Sequence, residues 1–328
     1  MGTKVSSSEI SKIKRDLDLM RGEISRIVVG QDEVVNGLIR AILTKGHVLL
    51  EGVPGIAKTL IMRALAHVTT SNYNRVQFTA DLLPTDITGI TAYDPHKGFY
   101  VVKGPVFTNF LLADEINRAP AKVQSALLEA MQEKQVTIGT KTFIIEEPFF
   151  VLATQNPIES VAIFPLPEAQ MDRFLFKLYI NYPSVDEEQG ILQKNISISS
   201  FDDFKIKSVI SSKEIIKMQE VVKRIYVSPE IEKYIVRIVD ATRFSGKYKL
   251  NNSKYIAWGS SPRASIGLYI ASKADALLNG KDYVTPKNVK NVAYDILRHR
   301  IILNYEGQAE NIKTDDIISE VLQKVPTP

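Results

Sequence analysis

The sequence predicts an α/β fold in which a five-stranded parallel sheet lies between helices, followed by a smaller all-α domain. Three observations lead to this prediction. From residue 47 to about residue 180, short apolar runs alternate with helical segments, which is typical of a parallel sheet covered on both faces. The first apolar run ends in a glycine-rich turn that opens a helix. After residue 213, apolar residues recur at helical spacing throughout.

Two helices are predicted before the sheet. Apolar residues between positions 9 and 28 recur every three or four residues and so share one helical face. The segment Val29-Gly30-Gln31-Asp32 interrupts this pattern, and a second helix is predicted from Glu33. The strands predicted for the sheet are 47–50, 75–78, 110–113, 149–153 and 174–179.

Two hairpins are predicted as insertions, near residues 81–104 and 135–145. The first contains several turn signals, and the second has Gly139-Thr140 between two short strands. Each is either a surface loop or a projection that touches a partner. The chain is thus divided into an αβα core at 1–183, a connector at 184–212 and a helical domain at 213–328.

Three helices of the C-terminal segment have clear start signals. Ser228-Pro229, Ser261-Pro262 and Thr285-Pro286 each combine a capping residue with a proline suited to the first helical turn. From residue 213 onward the sequence predicts only helices. The basic cluster at 298–300 is interpreted as part of a solvated helix face.

Composition excludes several classes of site. The 328 residues are 45% hydrophobic and 24% charged, as expected of an ordinary globular protein, and the net charge of +4 does not argue for nucleic acid. There is no cysteine, which excludes disulfides and thiolate zinc sites. The four histidines are scattered, so a histidine-rich metal site is not expected. No apolar run is long enough for a membrane span and the first thirty residues are polar, so a cytoplasmic location is expected.

The most informative segment is the glycine-rich turn after the first strand. Such a turn lets backbone N–H groups surround phosphate oxygens at the positive end of a helix dipole. Lys58 would reach the β- and γ-phosphates, and the Thr59 hydroxyl would bind Mg²⁺. The alternative is a turn that precedes Lys-Thr by chance, since the pattern expects glycine at position 57. The segment consists of Gly52, Val53, Pro54, Gly55, Ile56, Ala57, Lys58 and Thr59.

Two adjacent carboxylates follow the apolar run at 110–113. In nucleotide hydrolysis, one carboxylate holds Mg²⁺ and a neighbour polarises the attacking water. Asp114 suits the first role and Glu115 the second. Such a pair also occurs as a cap of the following helix. Its combination with the glycine-rich turn favours an ATPase.

Three more residues are candidates for contact with a nucleotide. Asn156 follows the next strand and would orient the water or contact the γ-phosphate, although Asn-Pro is also a common turn pair. Arg173 precedes the last strand and would stabilise charge at a neighbouring subunit's nucleotide, or else form a surface pair with Asp172. Arg263 is the second residue of a helix, where the dipole disfavours a cation, and this suggests contact with a phosphate.

Taken together, these segments resemble the AAA+ ATPases, and specifically the MoxR family. The similarity runs from about residue 20 to about residue 320, and the family accepts alanine at position 57. The segments that carry the resemblance are 29–31, 52–59, 113–120, 124–133, 153–157, 166–174 and 261–264.

The resemblance implies an AAA+ P-loop core with a helical lid, and ATP and Mg²⁺ as cofactors. It implies a Walker A motif at 52–59, a Walker B motif ending at Asp114-Glu115, and metal binding by Thr59 and Asp114. The other residues that it assigns to the nucleotide are Leu60, sensor 1 Asn156, the arginine finger Arg173, sensor 2 Arg263, Arg118 as a second contact between subunits, and Val29, Gly30 and Gln31 near the adenine.

The resemblance also implies partners and leaves alternatives open. Because an arginine finger acts on a neighbouring subunit, a homo-hexameric ring is expected. The implied task is chaperone-like remodelling or assembly of a client protein, together with a von Willebrand factor A domain protein. One alternative is a nucleic-acid motor or initiator, which predicts basic and aromatic residues at the hairpin tips, such as Lys97, Phe99, Tyr100 and Lys141. The other is a non-hydrolysing nucleotide-dependent switch.

Overall fold

The computed structural model describes residues 5–52, 58–96, 98–156, 164–195 and 201–328. The chain forms two units, each with its own internal contacts. One contains the chain up to Leu17, Leu175–Lys177 and Met218–Pro328, and the other contains Asp18–Phe174 and Leu178–Lys217. The domain boundaries at 183 and 213 stay predictions.

The strands are numbered in chain order. They are β1 Val48–Glu51, β2 Tyr73–Gln77, β3 Gly89–Asp94, β4 Gly98–Lys103, β5 Phe110–Asp114, β6 Gln135–Ile138, β7 Lys141–Ile144, β8 Phe150–Gln155, β9 Phe176–Tyr179, β10 Ile256–Trp258 and β11 Ile302–Leu303.

The helices are numbered in the same way. None of those in the described ranges is long and apolar enough to cross a membrane. They are α1 Ser7–Ser25, α2 Asp32–Leu43, α3 Lys58–Val68, α4 Pro84–Thr88, α5 Ala121–Glu133, α6 Glu168–Met171, α7 Val185–Asn195, α8 Ser212–Arg224, α9 Pro229–Arg243, α10 Pro262–Leu278, α11 Pro286–Leu297, α12 Tyr305–Ala309 and α13 Thr314–Lys324.

Within the described residues, the main sheet has five strands in the order β2-β5-β8-β1-β9. The pairs β2–β5, β5–β8 and β8–β1 are parallel. The central strands β5 and β8 are buried along nearly their whole length, which explains why each is one continuous apolar run. Helix α5 covers the sheet with Val123, Leu127 and Leu128, which belong to the same hydrophobic cluster as Leu111 and Val151. The predicted fold class is confirmed.

Both insertions are antiparallel hairpins. β3 pairs with β4, and Tyr93 and Phe99 face each other near the tip with ring centroids 5.1 Å apart. β6 and β7 are joined by the two residues Gly139-Thr140. Gly139 has φ +62°, and a positive φ at this place in a two-residue turn favours glycine.

The three predicted helix starts of the C-terminal unit are observed. The Ser228 and Ser261 hydroxyls accept backbone hydrogen bonds at the starts of α9 and α10, and Thr285 forms a capping box with Asn288 at the start of α11. The prediction of helices alone after residue 213 was wrong in one detail. β10 and β11 form a small antiparallel ribbon, whose strands of three and two residues are too short to show a period of two.

The basic cluster at 298–300 is buried, so the prediction of a solvated face was wrong. Arg298 is held by the Asp315 carboxylate at 3.0 and 3.1 Å, and its side chain is 9% exposed. Arg300 donates to the carbonyl oxygen of Ile296 at 2.5 Å. These guanidinium groups are buried because carbonyl and carboxylate oxygens satisfy their N–H groups.

The predicted connector contains ordered elements. It includes α7, a single 3₁₀ turn at Phe201–Phe204, and a segment fastened to α3. The backbone N–H groups of Val209 and Ile210 donate to the Val68 carbonyl at 2.8 and 3.1 Å. This part of the chain therefore belongs structurally to the unit that contains the main sheet.

Charged and polar groups also pack at the amino ends of β1 and β8. His47 is buried; its Nδ1 accepts from the Val151 N–H at 3.1 Å, and its Nε2 lies 3.2 Å from the Met131 carbonyl. Burial lowers the pKa of His47 from 6.5 to about 4, so the ring is neutral near pH 7. Nearby, the amines of Lys134 and Lys45 each donate at 2.6 Å to one oxygen of Glu147, and these bonds lower its pKa to about 2.

Candidate nucleotide site

The described ends of the glycine-rich turn meet at the carboxyl end of β1. A side chain at Gly52 would place Cβ 2.2 Å from Ile180 Cγ2 and 2.5 Å from the Ile180 carbonyl oxygen, so only glycine fits. Lys58 Nζ donates to the Gly52 carbonyl at 2.5 Å. Thr59 and Leu60 are partly buried in the first turn of α3. An amine and a helix N-terminus at this edge are suited to an anion. The residues Val53, Pro54, Gly55, Ile56 and Ala57 lie outside the described residues.

Thr154 links the two predicted carboxylates. Its fully buried hydroxyl donates to Asp114 Oδ1 at 2.6 Å and accepts from the Glu115 backbone N–H at 2.9 Å. The contact is possible because β5 and β8 are parallel neighbours in which Ala113 pairs with Ala153. One residue further along each strand, Thr154 therefore reaches Asp114 and sets the direction of its carboxylate.

Glu115 has a backbone conformation that is uncommon outside glycine. Its φ and ψ are 57° and 51°, in the left-handed region, and strain of this kind often occurs at functional sites. Gln77 Nε2 and Arg118 Nη1 donate to its Oε2 at 2.6 and 2.9 Å. The side chain is thus held next to Asp114 by groups from β2 and from the turn after β5.

Arg75 covers the other oxygen of Asp114. Its Nε and Nη2 lie 3.2 and 2.6 Å from Oδ2, and Nη2 also donates to Gln77 Oε1 at 3.0 Å. Arg75 is beside Leu112 in the β2–β5 register, so it reaches Asp114 along the diagonal. The acidic pair therefore carries two arginines and an amide in the described structure.

Two buried amides lie close in the chain to this cluster. Asn156 follows β8 and is 5% exposed. Gln124 is fully buried in α5, and its Nε2 donates to the carbonyls of Ile116, Ala119 and Phe164. Gln124 thus fixes the turn that carries Arg118.

The segment predicted near the adenine contacts the chain that follows β9. Gln31 is buried, and its Nε2 donates to the Asn181 carbonyl at 3.1 Å. Gly30 has φ +72°, and a Cβ there would lie 2.6 Å from the Glu187 carboxyl carbon. Val29 packs near Gly190. These contacts place 29–31 against α7 and the residues before it.

The two remaining arginines are exposed and belong to different units. Arg173 follows α6, and its side chain makes no hydrogen bond or ion pair with any residue in the described ranges. Arg263 opens α10, where its backbone N–H donates to the Ser261 hydroxyl at 3.2 Å. The structure thus brings together Asp114, Glu115 and Arg118, whereas Arg173 faces solvent.

Sequence reasoning missed Arg75, Gln77 and Thr154 as members of this cluster. Arg75 and Gln77 are exposed and two residues apart on an edge strand, a pattern that also serves to protect sheet edges. They lie next to Asp114 only because β2 is the neighbour of β5, which the local sequence does not reveal. Thr154 stands in the segment before Asn156, and its polarity inside an apolar strand was the available signal.

Comparisons with known proteins agree with this arrangement. A family model described as the ATPase family associated with various cellular activities (AAA) matches residues 47–176, and an AAA lid domain model matches residues 249–321. The chain is 47% identical over 308 residues to Chaperone MoxR1 of Mycobacterium tuberculosis, covering 93% of this chain and 81% of that protein. It is 30% identical to Protein MoxR of Methylorubrum extorquens, with 93% of each chain covered.

A solved structure supports the same assignment. It is the crystal structure of a putative ATPase from Cytophaga hutchinsonii, which aligns with a TM-score of 0.90 and 46% identity over 97% of each chain. Identity at this level over nearly the full length shows the family as well as the fold. The chain belongs to the MoxR family of AAA+ ATPases.

Proposed function

We propose that the protein binds ATP with Mg²⁺ and hydrolyses it to ADP and phosphate at the carboxyl end of the main sheet. The observation that carries this proposal is the adjacent pair Asp114 and Glu115, oriented by Thr154 at the end of a buried strand. A second support is the position of Gly52 and Lys58 at the end of β1, in the same sheet. Ligands of open α/β sheets bind at this edge.

The residues present fit a magnesium ion. The Asp114 carboxylate and the Thr59 hydroxyl are hard oxygen donors, which Mg²⁺ prefers. Among the residues that the structure describes, no group of three His, Cys, Asp or Glu could hold a metal alone. Phosphate oxygens and water would supply the remaining ligands. When bound, the ion neutralises charge on the phosphates.

The chain's own residues would perform the remaining tasks. Lys58, with the residues from Gly52 to Leu60, would bind the phosphates, and Glu115 would accept a proton from the attacking water. Asn156 would orient that water, and Arg263 would contact the γ-phosphate from the lid. Val29, Gly30 and Gln31 would border the adenine.

Arg173 and Arg118 would act across an interface between subunits. The exposed guanidinium of Arg173 is suited to a neighbouring subunit's nucleotide, so we propose a ring, with a hexamer as the expected size. The released energy would remodel or assemble a client, together with a von Willebrand factor A domain partner.

The tip of the first hairpin favours a protein partner over nucleic acid. Phe99 and Tyr93 are 79% and 63% exposed, which gives the tip a large apolar surface. Lys103 lies at the base, and its amine is over the Phe107 and Phe143 rings. Lys97 lies outside the described residues. The exposed aromatic pair offers a surface for a protein partner, and the one described lysine of the hairpin strands, Lys103, lies away from the tip.

The test of the ring is the ATPase rate per subunit as a function of protein concentration. We expect the rate to rise with concentration in the wild type and to fall about 10³-fold in Arg173→Ala. Arg237→Ala, which removes another exposed arginine, is the matched control and should behave as wild type. A rate that is independent of concentration and of Arg173 would contradict the ring mechanism.

A further inference from the structure

The half-exposed arginine on the edge strand suggests control over metal entry. We propose that Arg75 competes with the divalent cation for Asp114 and has to leave Oδ2 before a metal binds that oxygen. Arg75 would therefore weaken the binding of a bare metal ion to nucleotide-free protein. This inference rests on the proposed function, in which Asp114 is a ligand of Mg²⁺.

The hydrogen bonds of Asp114 show why the two cations compete for one of its oxygens. A carboxylate offers about four lone-pair sites, two on each oxygen. Thr154 holds Oδ1 at 2.6 Å. Oδ2 accepts both N–H groups of Arg75, at 3.2 and 2.6 Å. Both sites of Oδ2 are then used and one site of Oδ1 remains, so a metal can bind Oδ2, or both oxygens together, only if Arg75 withdraws.

The position of Arg75 makes the contact specific. The β2–β5 register places it diagonally from Asp114, and two nitrogens of its planar fork face one oxygen. Gln77 Oε1 accepts from the same Nη2 and steadies the guanidinium. Two acceptors, Asp114 Oδ2 and Gln77 Oε1, therefore hold this one guanidinium group.

Exposure makes the contact reversible. The Arg75 side chain is 46% exposed, whereas Asp114 is 14% exposed. The arginine can therefore move into water, while Thr154 keeps the carboxylate in place. The pair resembles a surface ion pair, and removing such a pair changes a folding or binding constant by about fivefold or less. Such a contact is weak enough for a metal–nucleotide complex to displace.

The small number of protein ligands explains why a metal ion would bind together with the nucleotide. No group of three potential metal-binding acids, histidines or cysteines exists in the described part of the chain. Mg²⁺ is commonly bound through one or two carboxylates together with substrate phosphates. A bare ion gains few protein ligands and also competes with Arg75, whereas an ion carried by nucleotide brings phosphate ligands with it.

The test measures binding of Mn²⁺ alone to the nucleotide-free full-length protein by electron paramagnetic resonance. We expect Arg75→Gln to bind Mn²⁺ about fivefold more tightly than the wild type. Arg224→Gln, which also removes one positive charge from a partly exposed ion pair, with Glu9, is the control and should match the wild type. Adding Asp114→Asn to Arg75→Gln should abolish the gain.

Three results would overturn the role of Arg75: unchanged affinity in Arg75→Gln, an equal gain in Arg224→Gln, or a gain that survives Asp114→Asn. Binding of a fluorescent ATP analogue with Mg²⁺ separates this failure from that of the proposed function. Normal analogue binding combined with any of the three results contradicts the Arg75 role alone. If the wild type does not bind the analogue, the proposed function itself fails.

Discussion

At the amino ends of β1 and β8, Glu147 accepts one hydrogen bond on each oxygen from Lys45 and Lys134. At the carboxyl end of β5, Asp114 shares its oxygens between Thr154 and Arg75. Both ends of the same sheet thus hold a carboxylate against basic groups. The two ends differ in the residues around the carboxylate. This difference distinguishes a structural cluster at the amino end from a candidate catalytic cluster at the carboxyl end.

The cluster at the amino end ties elements of the fold together. Lys45 and Lys134 follow α2 and α5, so the two amines tie helices to the start of β8, and His47 is buried neutral beside them. The carboxyl end holds two adjacent acids, a left-handed backbone at Glu115 and arginines that are nearly half exposed. Groups that can exchange partners are concentrated at the end where parallel sheets bind ligands.

The largest stability effect predicted for the amino end comes from His47. Because its folded pKa of about 4 lies below 6.5, the unfolded chain takes up a proton first as the pH falls. The stabilisation is complete above pH 6.5 and is lost between about pH 6.5 and about pH 4, by about 3 kcal/mol. Denaturant unfolding at several pH values measures this loss.

The control for His47 is the exposed His96. His47→Gln should flatten the pH dependence in that window, and His96→Gln should leave it unchanged. An equal pH dependence in wild type and His47→Gln would show that other groups are responsible.

A smaller effect is predicted for Thr154→Val at the carboxyl end. The isosteric change leaves Asp114 Oδ1 and the Glu115 N–H without their partner, and it should lower the free energy of unfolding by about 2 kcal/mol. We expect kcat for ATP to fall about tenfold, because the acidic pair loses its support. Thr137→Val removes a hydroxyl contact in an exposed hairpin and should change neither quantity measurably.

The smallest effect is predicted for Glu147→Gln. The neutral amide weakens two ion pairs of a side chain that is one third exposed, so unfolding should become easier by about 1 kcal/mol near neutral pH. Because the pKa of Glu147 is lowered to about 2, its contribution is present above pH 4.5 and disappears as the pH falls toward 2. Wild type and variant should therefore converge in stability at the acid end, and a constant difference would argue against the ion pairs.

The sequence alone predicts the strands and helix starts that depend on residues adjacent in the chain. The apolar run predicted as strand 110–113 is observed as Phe110–Asp114, because a buried parallel strand needs no polar residue along its length. The starts of α9, α10 and α11 were evident from a capping residue followed by proline. The ribbon β10–β11 was not, since two or three residues carry no periodicity.

The unpredictable parts depend on partners that are distant in sequence. Arg298 appears in the sequence as a surface charge, and only the fold shows that Asp315 buries it. Arg75 belongs to the acidic cluster because β2 neighbours β5 in a register that no local pattern reveals. The roles of the predicted site residues stay proposals until variants test them.

The comparison of the two ends is tested most directly by Glu115→Gln and Glu147→Gln in parallel, measuring kcat for ATP hydrolysis and the free energy of unfolding. We predict that Glu115→Gln lowers kcat about 100-fold or more while retaining ATP binding, as expected for loss of a general base. Glu147→Gln should leave kcat unchanged and lower stability. Retention of hydrolysis by Glu115→Gln, or an equal loss in folded Glu147→Gln, would contradict the assignment of chemistry to the carboxyl end of the sheet.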